Sequence, residues 1–159
     1  MFIHPTAIIY PNVIIEPDVY IGAYCVIGAP PEWKGYEQHY EGLVTILSGT
    51  RLTGLVTVDS GTKGRTIIGK GCYLMKHSHV GHDAILAENV TLSCGAKVGG
   101  FTIIEKNCNI GLNAVLHQKI RIPEGCMIGA SAFVGKKSIL QPYFKYAGVP
   151  VKEIGSNAR

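Results

Sequence analysis

The sequence is poor in charge, in aromatic side chains and in long apolar segments. Only 16% of its 159 residues are charged and 8% are aromatic, whereas glycine occurs 20 times. No stretch approaches the 18 continuous apolar residues of a membrane span, so none is predicted. The N-terminus, MFIHPTAIIY, has no basic segment followed by an apolar run, which predicts no signal peptide and a cytoplasmic protein.

Clustered positive charge is also missing. The formal net charge of +4 favours anionic partners, such as phosphates or an acidic carrier protein. Lysine and arginine are not gathered as they are in nucleic-acid-binding proteins, so no nucleic-acid partner is expected. No pair of cysteines has the CxxC spacing of a zinc site, and we predict no bound metal.

An aliphatic residue recurs every six positions over most of the chain. The repeat begins at Ile3, continues to Ile27, and runs without a break from Ile68 to Val134. A helix would repeat at 3.6 residues and a plain strand at 2, so a period of six fits neither. It fits a short strand followed by a corner, with three such units in one triangular turn. The predicted fold class is therefore all-β, a parallel β-helix.

A second inward position follows four residues after each aliphatic one and holds a small or β-branched side chain. Four of the five cysteines occupy it, namely Cys25, Cys72, Cys108 and Cys126. These cysteines are expected to be buried and unpaired, which agrees with a reducing compartment. Cys94 falls elsewhere in the repeat and is expected to point outward.

The lapses in the period define the organisation of the chain. We assign residues 1–140 to the β-helix, with inserted loops at 29–45 and 62–67. Long loops on a rigid solenoid tend to carry function. Residues 141–159 leave the period and are expected to cap the open end of the coil.

Three histidines stand close together in the segment KHSHVGHD, residues 76–83. If one turn takes three hexads, residues 18 apart stack in a column about 4.8 Å apart. This places His82, Gly100 and Gln118 in one outward column. His79 lies around the same corner as His82, and His117 adjoins Gln118.

This combination suits acyl transfer. The reaction needs a base whose pKa is near neutral, which histidine supplies. It also needs a donor for the developing oxyanion, and an N–H beside Gly100 is suitably placed. Asp83 could orient the imidazole or balance its charge. The competing interpretation is that outward histidines are only solvated surface groups, which is how we interpret His77.

The segments HSHVGHDAILAENVTL, GG and NAVLHQ resemble the hexapeptide-repeat acyltransferases. Within them the similarity is to the UDP-N-acetylglucosamine acyltransferase family that begins lipid A biosynthesis. The resemblance implies a left-handed coil and a homotrimer with active sites between chains. It further implies that His82 is the general base and that Gly100 lies in the oxyanion hole, with Asp83 beside the base. The implied substrate-binding residues are His79, His117, Gln118, Lys76 and Trp33.

The resemblance leaves the donor open. The family carries a C-terminal helical domain that this sequence is expected to lack, and the tail AGVPVKEIG resembles the ending of coenzyme A-dependent sugar acetyltransferases. The donor is therefore expected to be an acyl-carrier-protein thioester or acyl-coenzyme A. The implied acceptor is a hydroxyl or amine of a sugar, most simply of a UDP-N-acetylglucosamine-type nucleotide sugar. No bound cofactor is expected.

Two other functional classes compete with acyl transfer. The γ-carbonic anhydrases use a similar coil, and VGHDAILA resembles them, but they need a second histidine where this sequence has Ala87. A structural or ligand-holding coil without catalysis is the other alternative. It predicts a regular outer face without a column of histidine and glycine.

Apolar residues at the sixth hexad position, which should face outward, point to self-association. One side holds Ile85, Ile103 and Ile139, and another holds Val115 and Phe133. Apolar columns on an outer face usually mark an interface. They agree with the homotrimer that the resemblance implies.

Overall fold

The computed structural model describes residues 1–32 and 42–157, and in this part of the chain every regular element is a β-strand. Consecutive strands visit three parallel sheets in turn, so that each sheet receives every third strand. The predicted all-β fold, a left-handed parallel β-helix of hexapeptide repeats, is confirmed.

Most strands are only two residues long, because the chain turns a corner after each one. The largest sheet has nine strands: β1 (Phe2–Ile3), β4 (Tyr20–Ile21), β7 (Arg51–Leu52), β10 (Tyr73–Leu74), β13 (Thr91–Leu92), β16 (Asn109–Ile110), β19 (Met127–Ile128), β21 (Phe144–Ala147) and β22 (Lys152–Ser156). The second sheet has seven: β2 (Ile8–Ile9), β5 (Val26–Ala29), β8 (Thr57–Asp59), β11 (His79–Val80), β14 (Lys97–Val98), β17 (Val115–Leu116) and β20 (Phe133–Val134). The third has six: β3 (Val13–Ile15), β6 (Leu43–Ile46), β9 (Arg65–Ile68), β12 (Ile85–Leu86), β15 (Ile103–Ile104) and β18 (Arg121–Ile122).

The aliphatic hexad position fills the interior of the coil. From Ile68 to Val134 every member of the repeat is at most 2% exposed. At the small inward position Cys25, Cys72, Cys108 and Cys126 are buried as predicted, and Cys94 is exposed. Burial raises the pKa of the Cys72 thiol to about 11 and that of Cys108 to about 12, so these thiols are unreactive fillers.

Strand pairing confirms that one turn of the coil takes three hexads. His79 pairs with Lys97, Lys97 with Val115, and Val115 with Phe133. At many corners a non-glycine residue adopts the left-handed conformation, as Asp83 does with φ of 57°. Ala84 N donates to Gly81 O across that corner, which closes the turn.

Both insertions lie at the corner between the seven-stranded and six-stranded sheets. One separates β5 from β6, and the next turn carries the other between β8 and β9. The expected bounds of these loops were 29–45 and 62–67. The strands Leu43–Ile46 and Arg65–Ile68 begin inside them, because they pair with each other in the six-stranded sheet and bury the aliphatic residue at their ends.

The tail, expected as a cap, adds one more rung and then reverses. Strand β21 pairs in parallel with β19, and β22 folds back on β21 as an antiparallel partner. Tyr146 is 3% exposed and its hydroxyl accepts from Gln141 N. Over residues 1–32 and 42–157, no helix is long and apolar enough to cross a membrane.

Candidate active site

His82 stands at the corner that follows β11, where its imidazole is held from one side. Its Nδ1 lies 3.0 Å from Asp83 Oδ2, and the His82 side chain is 16% exposed. Because the carboxylate can only accept while it is ionised, Nδ1 carries the proton and Nε2 is left as the basic nitrogen. The edge of the ring meets Phe101 at 5.0 Å between centroids, with the planes nearly perpendicular.

The second insertion fixes the carboxylate that holds His82. Thr62 donates to Asp83 Oδ2 from its backbone N and from its hydroxyl, each at 2.9 Å. The Asp83 backbone N donates to Thr66 Oγ1 at 2.8 Å. Three donors, counting His82, therefore converge on a single carboxylate oxygen. The insertion orients His82 indirectly, through Asp83.

Gly100 lies directly beneath the imidazole. A Cβ at this position would sit 2.6 Å from His82 Nε2, so the imidazole would have to move aside. Within residues 1–32 and 42–157 the Gly100 N–H donates no hydrogen bond. The basic nitrogen of His82 thus lies next to a residue whose backbone N–H is free within the described part of the chain.

A second imidazole, His79, faces the same space and has its own carboxylate. Its Nδ1 lies 2.8 Å from Thr57 Oγ1, and its Nε2 lies 3.8 Å from Asp59 Oδ2. Burial lowers the pKa of His79, and the nearby charge of Lys97 lowers it further. Burial raises the pKa of the Asp59 carboxyl to about 6. A neutral imidazole and an ionised carboxylate therefore adjoin each other at pH 7.

A cavity of about 300 Å³ connects these groups. Four of the predicted site residues line it, namely His79, His82, Gly100 and Gln118. Asp83 stands behind His82, from where it reaches the ring. A larger groove of about 690 Å³ shares Glu32, Asp59, His79 and Lys97 with this cavity. It is also lined by His77, an exposed residue whose backbone O accepts from Lys97 Nζ.

Two predicted substrate-binding residues are not brought to this cavity, and a third cannot be placed. His117 lines a separate groove of about 590 Å³ with Phe133 and Lys136. Lys76 is not among the residues that line any of the three cavities. Trp33 lies outside the described residues. Their roles in substrate binding remain predictions.

The structure adds residues that the sequence did not point to. Asp59, Thr57 and Thr62 contact the two histidines or their carboxylates, and Lys97 lies between the cavities. One feature could have identified Asp59. It follows the inward aliphatic residue of its hexad, a position that glycine holds in eight other hexads.

The arrangement supplies the groups that general-base catalysis needs. It offers a basic nitrogen held by a carboxylate and an unpaired N–H within the same cavity. Among residues 1–32 and 42–157 no three histidine, cysteine, aspartate or glutamate side chains are grouped so as to hold a metal ion.

Comparison with known proteins identifies the repeat. Residues 2–29 and 65–100 match the bacterial transferase hexapeptide family (six repeats), and residues 101–116 match the hexapeptide repeat of succinyl-transferase. These ranges contain most of the uninterrupted coil, including His79, His82, Asp83 and Gly100.

Curated relatives include enzymes of one activity. The acyl-[acyl-carrier-protein]–UDP-N-acetylglucosamine O-acyltransferase of Paraburkholderia phymatum is 31% identical over 86% of this chain and 52% of its own length. The enzyme of the same name from Burkholderia vietnamiensis is 37% identical over 72% of this chain and 45% of its own length. The chain thus spans about half the length of the curated relatives it matches.

Solved structures show the same coil. The UDP-N-acetylglucosamine acyltransferase of Bacteroides fragilis superposes with a TM-score of 0.81 and 26% identity, over 98% of this chain and 75% of that one. Strand order and hand therefore agree along nearly the whole chain.

Proposed function

Because the chain belongs to the hexapeptide-repeat transferase family, we propose that it is an acyltransferase that moves an acyl group from a thioester to a sugar nucleotide. The observation that carries the proposal is the position of His82 Nε2, which is free of any protein partner described and lies over Gly100. An imidazole in this position can take a proton from a hydroxyl or amine that attacks a thioester.

The proposed reaction uses three residues in turn. His82 Nε2 accepts the proton of the acceptor as its oxygen or nitrogen attacks the thioester carbon. The carbonyl oxygen gains negative charge, which the Gly100 N–H stabilises, while Asp83 balances the charge on the imidazolium. The carbon–sulfur bond then breaks, and the imidazolium returns the proton to the departing thiolate. The products are an acylated sugar nucleotide and a free thiol.

The relatives favour a nucleotide acceptor and a carrier-protein donor. Their names specify UDP-N-acetylglucosamine and acyl-[acyl-carrier-protein], and we extend both to this chain as part of the proposal. Acyl-coenzyme A is the second candidate donor, because the tail AGVPVKEIG is similar to that of coenzyme A-dependent sugar acetyltransferases. In this proposal the active form is a homotrimer, with each site completed by a neighbouring chain.

The decisive experiment combines product analysis with two histidine variants. Purified protein is incubated with UDP-N-acetylglucosamine and with either acyl-carrier-protein or coenzyme A thioesters of several lengths, and products are identified by mass spectrometry. His82→Ala should lower kcat by about 10² to 10⁴-fold, the usual contribution of general-base catalysis. His4→Ala is the matched control, since the His4 side chain bonds Thr6 in the first turn of the coil and lines neither the cavity nor the adjoining groove.

Both variants should melt at the wild-type temperature, because neither side chain belongs to the core. Full activity in His82→Ala would refute the general-base assignment. An absence of transfer from every thioester by the wild-type protein would refute the proposed function as a whole.

A further inference from the structure

The second carboxylate–imidazole pair, Asp59 and His79, takes no part in the proposed proton transfer by His82. The Asp59 side chain is only 7% exposed, so its carboxylate is held in the wall of the cavity and not in bulk water. The His79 side chain is 28% exposed and borders both the cavity and the adjoining groove. Asp59 lines the same cavity and groove, so a ligand that reaches His82 through the groove passes beside this pair.

The two groups do not satisfy each other. The 3.8 Å between His79 Nε2 and Asp59 Oδ2 is too long for a hydrogen bond. Within the described part of the chain no hydrogen bond of ordinary geometry reaches the Asp59 carboxylate, although the backbone N–H of Glu32 helps to lower its pKa. His79 Nε2 has no nearer partner there than Asp59. A buried carboxylate with spare acceptor capacity is costly to leave unpaired.

The proton positions can be assigned from the surroundings. The Thr57 hydroxyl lies 2.8 Å from His79 Nδ1, and the Asp59 carboxylate attracts a proton on the opposite nitrogen. The neutral imidazole therefore carries its proton on Nε2 and accepts from Thr57 at Nδ1. A donor and an acceptor, Nε2–H and Oδ2, then stand side by side at the cavity wall.

A hydroxyl group in the cavity can bridge such a pair from one side, because it accepts one hydrogen bond and donates another. We propose that Asp59 and His79 together bind one hydroxyl of the acceptor sugar, other than the group that is acylated, and so set which acceptor atom reaches His82. Asp59 is a specificity-determining residue in this arrangement. The inference rests on the proposed function, since it assumes a sugar acceptor.

Binding measurements test the pair without turnover. Calorimetry would compare UDP-N-acetylglucosamine with its 4-deoxy and 6-deoxy analogues on the wild-type protein and on the Asp59→Ala, His79→Ala and double variants. Loss of a hydrogen bond to a charged group should weaken UDP-N-acetylglucosamine about 10- to 100-fold in Asp59→Ala. One deoxy analogue should bind the wild-type protein and Asp59→Ala equally weakly.

Two further variants separate recognition from structure. Asp59→Asn keeps an acceptor oxygen, so it should recover part of the lost affinity. Glu16→Ala is the matched control, because Glu16 is also a carboxylate near a corner, but its side chain accepts from Ser48 and lines neither the cavity nor the groove. It should leave the Kd unchanged, and thermal melts would verify that every variant is folded.

The proposal is overturned if Asp59→Ala binds UDP-N-acetylglucosamine like the wild-type protein. It is equally overturned if Asp59→Ala weakens all three ligands by the same factor, or if the wild-type protein binds none of them. Acyl transfer is measured separately, through the His82→Ala comparison. Loss of the hydroxyl contact and loss of the acyltransferase assignment are thereby distinguished.

Discussion

At the scale of single residues, the absence of one side chain is as important as the presence of another. A Cβ on Gly100 would collide with the imidazole of His82, whereas a Cβ on Gly99 would collide with backbone atoms of His117 and Gln118. Neighbouring glycines are thus required for different reasons. The first leaves room for a reacting group, and the second allows two turns of the coil to approach each other.

The two glycines give opposite predictions. Gly100→Ala should lower kcat by about 10²-fold or more, because a displaced ring loses most of the contribution of general-base catalysis, while the melting temperature changes little. Gly99→Ala should lower the melting temperature clearly, because backbone cannot move aside as a side chain can. Steady-state kinetics and thermal melts on both variants would check this. Equal kinetic and thermal losses in the two variants would contradict it.

We predict that Asp59 lowers the free energy of unfolding at neutral pH, although it contributes to ligand binding. Its pKa is raised from 3.8 to about 6, chiefly by burial, although the backbone N–H of Glu32 lowers it; the charge of Glu32 raises it and that of His82 lowers it. The unfolded chain therefore loses this proton at lower pH than the folded one, and stability falls as pH rises between those values. The difference corresponds to about 3 kcal/mol at pH 7.

Asp59→Asn should therefore raise the free energy of unfolding at pH 7 by up to about 3 kcal/mol. The gain should shrink as the pH falls through 6 and should disappear near pH 4, where the native carboxyl is neutral. His79 and Lys97 also face Asp59 and remain in the variant. Denaturation curves at a series of pH values would measure the effect. A gain that is independent of pH would show that burial of charge is not its cause.

The same residue shows what the sequence could not predict about the site. His82, Gly100 and Gln118 are separated by whole turns without an insertion, so counting hexads places them in one column, as observed. Asp59 lies before the second insertion, and the same counting would place it beside His77. The structure instead pairs Thr57 with His79, a separation longer than three hexads, and this brings Asp59 beside Gly81. A count in steps of 18 places residues in a common column only when they lie on the same side of an insertion, and Asp59 and His79 do not.

At the scale of elements, the corners hold residues in a conformation that most side chains avoid. Asn107 has φ of 60°, and its N–H donates to Glu88 O on the preceding turn. Asparagine tolerates this region better than alanine does. The hexad period predicted where the corners fall. It did not predict which corner residue takes positive φ, because side chains as different as Tyr24, Leu55 and Lys119 also adopt it.

Two substitutions at Asn107 should separate the effect of its backbone conformation from the effect of losing its side-chain contacts. Asn107→Ala should lower the free energy of unfolding by about 1 kcal/mol, since a left-handed residue with a Cβ costs about 1–2 kcal/mol. Asn107→Gly should be close to neutral, because glycine reaches this conformation without strain. Urea denaturation of both variants would check the order. If alanine is tolerated as well as glycine, the corner is not under conformational strain.

At the scale of the whole molecule, apolar outer columns lie on two of the three sheets. Ile85 pairs with Ile103 in the six-stranded sheet, and Val115 pairs with Phe133 in the seven-stranded sheet. Ile85 is 36% exposed and Val115 is 42% exposed in the single chain. Burying these columns against other copies would remove apolar surface from water, which favours association.

We expect a homotrimer in sedimentation velocity experiments, and Ile85→Glu should shift it toward monomer. A buried carboxylate without a partner would oppose assembly strongly. Tyr73→Glu is the control, because Tyr73 has similar exposure but lies on the nine-stranded sheet. Wild-type protein that sediments as a stable monomer would contradict the prediction.

The placement of both insertions at one corner has a consequence for how the protein can change. The strands on either side keep their pairing even though the chain takes longer than three hexads to return from Thr57 to His79. In the coil, the number of residues per corner is thus constant along two of the three corners, whereas the third corner accepts segments of different length. Inserted loops at that corner can therefore be exchanged for loops of other lengths, in evolution or by engineering. Each exchange would alter what surrounds the histidines without disturbing the scaffold that spaces them.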